Sequence, residues 1–366
     1  MSGKNRQAEE LVELTAVSGE LPSKAVYRLD GGGYYKKKLV INLKKSGDIK
    51  THYKNGIRGY RLTAKSKKEL MQNNPDRFGF YLTGDVDTNK IQSGVTRRLR
   101  LHRIANALVT VYNSGAEIFR DKKYGLFNSQ NCNKFRIDKP CYYTSREFKE
   151  IGNDMVKAKN ARAVGILFTG TEILMVYNTE DYVMKWDYGS ELDVKSVVSR
   201  YLSDKRGLNQ KINGLLLGNG MEMLLSVLNE NNGNKRGYFF LDNAFDSFIY
   251  LTNDRYGEIL LKLFYDRDKR IEIDEILCEN LHPPDRQYIT ENDAIDENGN
   301  PVLYSYLPDM PRLARYVNAL KLHERTGTVI CFDFQKEALA KYCGEQIIFD
   351  TIDFDEFERS FFSEKS

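Results

Sequence analysis

The chain has 366 residues, of which 41% are hydrophobic and 29% charged, and its formal net charge is +4. This composition is typical of a soluble globular protein, and the length predicts two or three domains. No apolar run approaches the roughly 18 residues of a membrane-spanning helix, and the first ten residues lack the apolar core of a signal peptide. Five scattered cysteines without a CxxC pair favour a cytoplasmic protein with reduced thiols over a disulfide framework or a zinc ribbon.

Positive charge is concentrated near the amino end. Residues 1–72 contain sixteen lysines and arginines against seven acidic residues, which gives a formal charge of +9. The whole chain carries only +4, so residues 73–366 carry −5. Such an asymmetry is typical of a module that binds nucleic-acid phosphates, and it makes double-stranded DNA the expected partner.

The same segment carries the pattern of a helix-turn-helix. Residues 4–18 predict a first helix, and a second short helical segment ends at Asp30 and three glycines. Glycine tolerates the positive φ angles that a sharp turn can require. In the lysine-rich segment that follows, Tyr35, Leu39 and Leu43 recur at helical spacing. This spacing predicts an amphipathic helix with one buried face and one cationic face.

A basic hairpin is predicted directly after this helix. A run that alternates between apolar and polar residues precedes Asn55-Gly56, which is a strong signal for a two-residue hairpin turn. The return strand places Tyr60 and Leu62 at core positions. Three helical segments followed by a basic hairpin predict a winged helix-turn-helix domain over residues 1–72.

The outward side chains of the lysine-rich helix and of the hairpin are the expected DNA contacts. Cations there would neutralise phosphates, so affinity would fall steeply with salt. Arg61, on the return strand, is also expected to be available to solvent or phosphate. The predicted DNA-binding residues are Tyr34, Lys37, Lys38, Lys44, Lys45, Lys50, His52, Lys54, Asn55 and Arg58.

Residues 73–139 predict a connector that contains a basic helix. Leu101 and Leu108 belong to an apolar stripe that suits packing against the preceding domain. The arginines at the start of this helix leave open a second phosphate contact or a homodimer seam. They are Arg97, Arg98, Arg100 and Arg103.

Residues 140–366 interleave strand-like and helix-like segments, which predicts an α/β domain with a mixed sheet. Thr144 is placed to cap a helix. The proline-rich segment 281–311 predicts an irregular stretch or an exposed hairpin, and the chain ends in an acidic tail. The predicted strands are 163–168, 173–178, 181–186, 212–218, 237–244, 245–252, 328–334 and 345–352, and the predicted helices are 145–154, 191–205, 220–231, 255–266, 312–325 and 335–343.

A metal-dependent nickase or nuclease is one alternative for this second domain. Such a site holds Mg²⁺ with carboxylates and positions the attacking water with a lysine. The same acidic segment equally fits the solvated first turn of a helix, where acids suit the helix dipole. The candidate catalytic residues are Asp187, Glu191, Asp193 and Lys195, with Asp181 upstream.

Other chemistry has less support in the sequence. A rolling-circle nicking site needs two histidines one residue apart, and the four histidines form no HxH motif. Tyr142 and Tyr143, which precede a predicted helix, are the least arbitrary tyrosine nucleophiles. The GNG at 218–220 lacks both the third glycine of a dinucleotide fingerprint and the GK[ST] of a P-loop. The sequence therefore predicts no nucleotide cofactor and no resident metal.

The chain contains Tyr60-Arg61-Leu62-Thr63 before the charged helix 64–70, a helix with His102, the run 161–167, Val176-Tyr177-Asn178 and Lys185-Trp186. Over about residues 5–200, these motifs resemble the plasmid replication-relaxation family. Members of that family are winged-helix proteins of Gram-positive plasmids and integrative conjugative elements, linked to replication and DNA mobilisation. The resemblance implies a DNA-binding protein of a mobile element and supplies no catalytic residue.

The leading hypothesis is a sequence-specific double-stranded DNA-binding protein that acts in plasmid replication or mobilisation. A metal-dependent DNA nickase and a winged-helix transcriptional regulator are the alternatives. The expected fold is α+β or mixed α/β, with a winged helix-turn-helix at 1–72, a connector at 73–139 and a mixed-sheet domain at 140–366.

Overall fold

The computed structural model describes residues 3–127, 138–151, 162–185, 187–230, 245–284 and 291–362. The chain forms two compact units. Unit 1 comprises Met1–Ile151 and Val164–Phe168, and unit 2 comprises Gly152–Ala163 and Thr169–Ser366. Helices occur together with antiparallel and parallel strand pairs, so the predicted mixture of α and β structure is confirmed.

Unit 1 begins with a long helix, and its other elements follow in short succession. The 3-10 helices Ala25–Arg28 and Lys149–Ile151 lie among them. The helices are α1 (Gly3–Ser18), α2 (Gly33–Lys45), α3 (Ala64–Asn73), α4 (Pro75–Leu82), α5 (Val95–Asn113) and α6 (Ser145–Phe148), and the strands are β1 (Leu21–Pro22), β2 (Ile49–Lys54), β3 (Ile57–Leu62), β4 (Cys141–Thr144) and β5 (Gly165–Phe168).

Helices α1 and α5 form the centre of unit 1. Leu11 and Leu14 of α1 and Ala105 and Leu108 of α5 are fully buried, and the two helices pack against each other. Apolar residues at helical spacing on both helices explain this contact, because each buries one stripe.

The predicted amphipathic pattern of α2 is observed. Leu39 and Leu43 are buried, whereas Tyr35 is half-buried. Gly31 before the helix and Gly47 after it have φ angles of +99° and +77°. Glycine adopts these values without the strain that a Cβ atom would cause, so both turns depend on it.

Strands β2 and β3 form the predicted hairpin. Lys54 pairs with Ile57, and Asn55 and Gly56 in the turn between them have φ angles of +52° and +76°. Positive φ at both positions is the geometry that an Asn-Gly turn favours. The sheet order is β1-β3-β2, with all pairs antiparallel, so β2 is an edge strand.

The connector predicted for residues 73–139 does not stand apart from the amino-terminal module. Helix α4 packs on α1, where the Arg77 guanidinium contacts Glu13 at 2.7 Å and Asp121 at 2.8 Å. Helix α5 packs on α1, on β1 and on β3. The module therefore extends beyond residue 72, because α4 and α5 complete its core.

Unit 2 contains seven helices and seven strands among the residues that the structure describes. The helices are α7 (Tyr188–Arg206), α8 (Met221–Glu230), α9 (Arg255–Tyr265), α10 (Arg267–Cys278), α11 (Met310–Leu322), α12 (Asp333–Cys343) and α13 (Phe354–Phe362), and the strands are β6 (Ile173–Glu180), β7 (Ile212–Gly218), β8 (Phe248–Thr252), β9 (Ala294–Ile295), β10 (Pro301–Tyr304), β11 (Gly327–Phe332) and β12 (Ile347–Ile352).

The strands of unit 2 belong to two sheets. Strands β6, β7 and β8 are parallel neighbours joined by α7 and α8. In the order β12-β11-β10-β9, the first three strands are parallel and β9 is antiparallel. Buried runs such as Leu215–Leu217 agree with parallel strands that are covered on both faces.

Several predicted elements of unit 2 differ from the observed ones. Residues 181–185 of the predicted strand 181–186 form no strand. Trp186 and the predicted strand 237–244 lie outside the described residues. Helix α10 was not predicted. Segment 281–311 contains the β9–β10 antiparallel pair, but the predicted exposure of a hairpin there is wrong, because Ala294 and Val302 are buried and β10 also pairs with β11. The acidic tail is the helix α13, whose Phe354 and Phe357 are buried.

Candidate nucleic-acid interface

The outward face of α2 is cationic and exposed. Tyr34 is 84% exposed, and all four lysines predicted as DNA contacts on this helix are exposed. They are Lys37, Lys38, Lys44 and Lys45. The burial of Leu39 and Leu43 on the opposite face fixes this orientation, because a helix that buries one stripe must expose the other.

Lys36 does not belong to this face. Its side chain is buried, and its Nζ donates a hydrogen bond to the Tyr27 carbonyl oxygen at 2.8 Å. The sequence reads three consecutive lysines at 36–38, yet only Lys37 and Lys38 are directed to solvent. Helical rotation of about 100° per residue separates neighbouring side chains in this way.

The hairpin adds further exposed polar groups. Lys50, Lys54, Asn55 and Arg58 are all exposed, as the alternation in the sequence predicted. Tyr53 of β2 is 69% exposed. The tip of the hairpin therefore presents cations and one aromatic ring to solvent.

His52 is placed differently from the other predicted hairpin contacts. It is half-buried, and its Nε2 atom is enclosed by protein. Burial and the nearby Arg61 and Arg98 lower the pKa of His52 below its ordinary value. This shift favours the neutral form of the ring, so His52 is a weaker phosphate contact than the exposed lysines of the hairpin.

A buried ion cluster lies behind the hairpin, and the sequence did not predict it. Glu20 is fully buried. Its Oε2 accepts a hydrogen bond from Arg61 Nε at 2.7 Å, and its Oε1 accepts from Arg98 Nη2 at 2.5 Å and lies 2.8 Å from His102 Nε2. Burial raises the pKa of Glu20, but the hydrogen bonds from His102, Arg98 and Arg61 outweigh it and lower the pKa to about 2.

Arg61 and Arg98 were both expected to be available to phosphate, and the structure contradicts this prediction. Arg61 is 8% exposed and Arg98 is 1% exposed, and both are held by Glu20. A guanidinium in such a position cannot reach a phosphate without leaving its carboxylate uncompensated in the interior. These two arginines stabilise the module from within.

The other arginines at the start of α5 have different surroundings. Arg97 and Arg100 are exposed, which leaves them available as a second phosphate contact, and Arg103 is half-buried. The sequence did not distinguish Arg98 from the other three arginines. They are the same residue type, and the sequence does not state which side of α5 faces the hairpin. The missing signal was the acidic partner, Glu20, 78 positions away.

The candidate nuclease residues of unit 2 lie around the start of α7. Glu191 is fully buried, and it accepts hydrogen bonds from the Tyr177 hydroxyl at 2.9 Å and from the Arg162 backbone N–H at 2.7 Å. Burial raises the pKa of Glu191 to about 7, although these two hydrogen bonds act in the opposite direction. Glu191 is thus enclosed by protein groups that satisfy both of its oxygens.

The remaining members of that set do not join Glu191. Asp187 and Asp193 are exposed, and the Lys195 ammonium lies 5.0 Å from the centre of the Phe245 ring. Asp181 accepts a hydrogen bond from the Asn219 side chain at 3.0 Å. Within the described ranges, no group of three or more His, Cys, Asp or Glu side chains could hold a metal ion.

Tyr142 and Tyr143 are not accessible nucleophiles. Both are buried, and their hydroxyls donate to the carbonyl oxygens of Val164 at 3.1 Å and of Tyr124 at 2.8 Å. Burial raises the pKa of the Tyr142 hydroxyl far above its ordinary value. Deprotonation for attack on a phosphodiester is therefore strongly disfavoured at this position.

No family model matches the chain, and no curated protein or solved structure matches it either. None of the helices in the described residues is long and apolar enough to cross a membrane.

Proposed function

We propose that unit 1 is a winged helix-turn-helix domain that binds double-stranded DNA. In this proposal α2 is the recognition helix and the β2–β3 hairpin is the wing. The order helix, short strand, short helix, helix and hairpin supports it, and so does the addition of β1 to the hairpin sheet. A recognition helix lies in the major groove and directs its outward side chains to base edges and phosphates.

The observation that carries the proposal is that α2 has one exposed cationic face and one buried apolar face. Four lysines and Tyr34 are exposed on one face, while Leu39 and Leu43 fix the other face to the core. The exposed cations of the hairpin follow directly in the chain. One cationic helix beside one cationic hairpin suits a duplex, because both can reach phosphates that flank one groove.

The proposed role in the cell follows from the sequence resemblance. We propose a sequence-specific protein that acts on the DNA of a plasmid or conjugative element, in replication or mobilisation. Selection of bound fragments from a library of the parent element identifies the site. Enrichment of an origin or transfer region supports this role, whereas enrichment of promoters alone supports a transcriptional regulator.

The binding proposal is tested with the full chain and short duplexes at several salt concentrations. We expect the logarithm of the affinity to fall linearly with the logarithm of salt concentration, with a slope of about −0.9 for each neutralised phosphate. Lys37→Ala with Lys44→Ala should weaken binding at least about tenfold and reduce the slope by about 2. The absence of any duplex binding at low salt contradicts the proposal.

A matched control separates the location of the charge from its amount. Lys205 and Lys336 are exposed lysines of unit 2. Lys205→Ala with Lys336→Ala removes the same two charges, and this variant should bind as the parent chain does. An equal loss of affinity in both double variants would show that net charge, and not α2, is responsible.

A further inference from the structure

The Arg98 guanidinium joins α5 to the backbone of the hairpin. Its Nη1 donates to the carbonyl oxygen of Lys54 at 3.0 Å. Its Nη2 donates to the carbonyl oxygens of His52 at 3.2 Å and of Ile57 at 3.1 Å. One side chain therefore contacts both strands of the hairpin next to the turn.

The turn end of the hairpin extends beyond the short third strand of its sheet. Strand β1 pairs with β3 at Tyr60 and Gly59, in the middle of β3, and the Ser23 N–H donates to the Arg58 carbonyl oxygen at 3.2 Å. An isolated two-stranded hairpin is at best marginally stable in water. Backbone contacts from a fixed side chain can therefore decide the position of residues 52–58.

Arg98 is itself held rigidly. Glu20 accepts from its Nε at 3.1 Å and from its Nη2 at 2.5 Å, and the side chain is 1% exposed. His102, one turn further along α5, contacts the same carboxylate. A buried guanidinium with a compensating carboxylate has one well-defined geometry, because leaving it would expose an unpaired charge to the interior.

We infer that Arg98 is a positioning residue for DNA binding, which holds the hairpin so that Lys54 and Arg58 meet the duplex while α2 is engaged. This inference rests on the proposed function. Arg98 does not contact DNA, since its guanidinium is enclosed between Glu20 and the hairpin backbone. It acts through the exposed hairpin cations.

A double-mutant cycle tests this role with the full chain and the duplex that it binds best. Arg98→Lys keeps a cation near Glu20 but removes the planar fork that spans three carbonyl oxygens. We expect Lys54→Ala with Arg58→Ala to weaken binding at least about fivefold in the parent chain and less than about twofold in the Arg98→Lys background. The α2 pair, Lys37→Ala with Lys44→Ala, should cost the same in both backgrounds, because α2 does not depend on Arg98.

A second measurement requires no DNA. Amide hydrogen exchange of residues 52–58 should become at least about tenfold faster in Arg98→Lys, while exchange in α1 remains unchanged. If Arg98→Lys fails to fold, the double variant Arg98→Gln with Glu20→Gln gives the same comparison, because it removes the guanidinium and its buried carboxylate together. Faster exchange limited to the hairpin supports positioning, whereas faster exchange throughout unit 1 shows a general structural role and overturns the inference.

The two proposals fail in different ways. A parent chain that binds no duplex removes the proposed function and this inference together. A parent chain that binds DNA, loses affinity in the α2 variant and shows equal hairpin costs in both Arg98 backgrounds overturns the inference alone. Hairpin variants without any cost in the parent chain also overturn it, because the hairpin would then not meet the duplex.

Discussion

The ammonium group of Lys36 donates a hydrogen bond to the carbonyl oxygen of Tyr27 at 2.8 Å, so the first of three consecutive lysines joins two helical segments inside unit 1. Tyr27 belongs to the 3-10 helix, and Lys36 lies in the first turns of α2. The contact sets how α2 sits on the segment before it. The two lysines that follow are left in solvent.

Lys36 and Lys37 should therefore differ in what their substitution changes. Lys36→Met removes the hydrogen bond to Tyr27 and should lower the free energy of unfolding by about 1 kcal/mol, while the salt dependence of DNA binding stays the same. Lys37→Met should leave stability unchanged and reduce the salt slope by about 0.9. Urea denaturation and binding titrations of the two variants make the comparison. Equal effects of both variants would contradict the assignment of Lys36 to the interior.

The Glu20 cluster predicts an acid-dependent loss of stability. The folded pKa of Glu20 is about 2, and its ordinary value is 4.5. A lowered folded pKa stabilises the native state above the unfolded value, and this contribution is lost as the pH falls from about 4.5 toward 2. Glu20→Gln should lower the free energy of unfolding at pH 7 by about 2 to 3 kcal/mol and should flatten the acid dependence. Hydrogen exchange of α1 and β3 between pH 7 and pH 3 reports this change, and an unaltered acid dependence in the variant would argue against the cluster.

Glu191 predicts the opposite pH dependence in unit 2. Its folded pKa is about 7, above the ordinary value of 4.5. A raised folded pKa of an acid favours the native state at low pH, and this contribution is lost as the pH rises from about 4.5 to about 7. Glu191→Gln keeps a carbonyl acceptor in place of the carboxylate and should stabilise unit 2 at pH 8 by on the order of 2 kcal/mol. Denaturation at pH 5 and pH 8 measures the difference, and a variant that is less stable at pH 8 would show that the charged form is favoured.

Gly59 should tolerate no side chain. A Cβ atom there would lie 2.5 Å from Glu20 Oε1 and 2.6 Å from its Cγ. Glu20 cannot move aside, because Arg61, Arg98 and His102 hold it. Gly59→Ala should therefore lower the free energy of unfolding by about 1 to 3 kcal/mol. Gly32 offers a matched control, since no atom lies near its Cβ position and its φ of −71° suits alanine. Replacement of glycine by alanine at an uncrowded position restricts the unfolded chain and does not by itself destabilise the fold, so an equal loss in Gly32→Ala would contradict crowding by Glu20 as the cause.

Local patterns predicted two features of unit 1 correctly, the buried face of α2 and the hairpin turn. The spacing of Leu39 and Leu43 correctly gave the buried face of α2, and Asn55-Gly56 correctly gave the hairpin turn. These features depend on neighbouring residues, which a single sequence displays directly.

Local patterns could not predict which ionisable side chains meet when they are far apart in the sequence. Arg98 and Arg97 are identical residue types in adjacent positions, but only Arg98 lies on the side of α5 that meets Glu20, so one is internal and the other exposed. Glu191 and Asp193 differ in the same way, because Tyr177 and Arg162 enclose the first and leave the second in solvent. A sequence lists ionisable groups without stating which of them meet.

The hydrogen bonds between the Arg98 guanidinium and the hairpin backbone set a lower limit on the length of any fragment that keeps the hairpin in place. A piece cut at residue 72 or 90 would keep α2 and the hairpin but would lose the guanidinium that neutralises Glu20. Arg61 alone would then face a carboxylate in an opened cleft, and the hairpin tip would be untethered. Excision for binding studies should therefore run at least through Asn113, the last residue of α5.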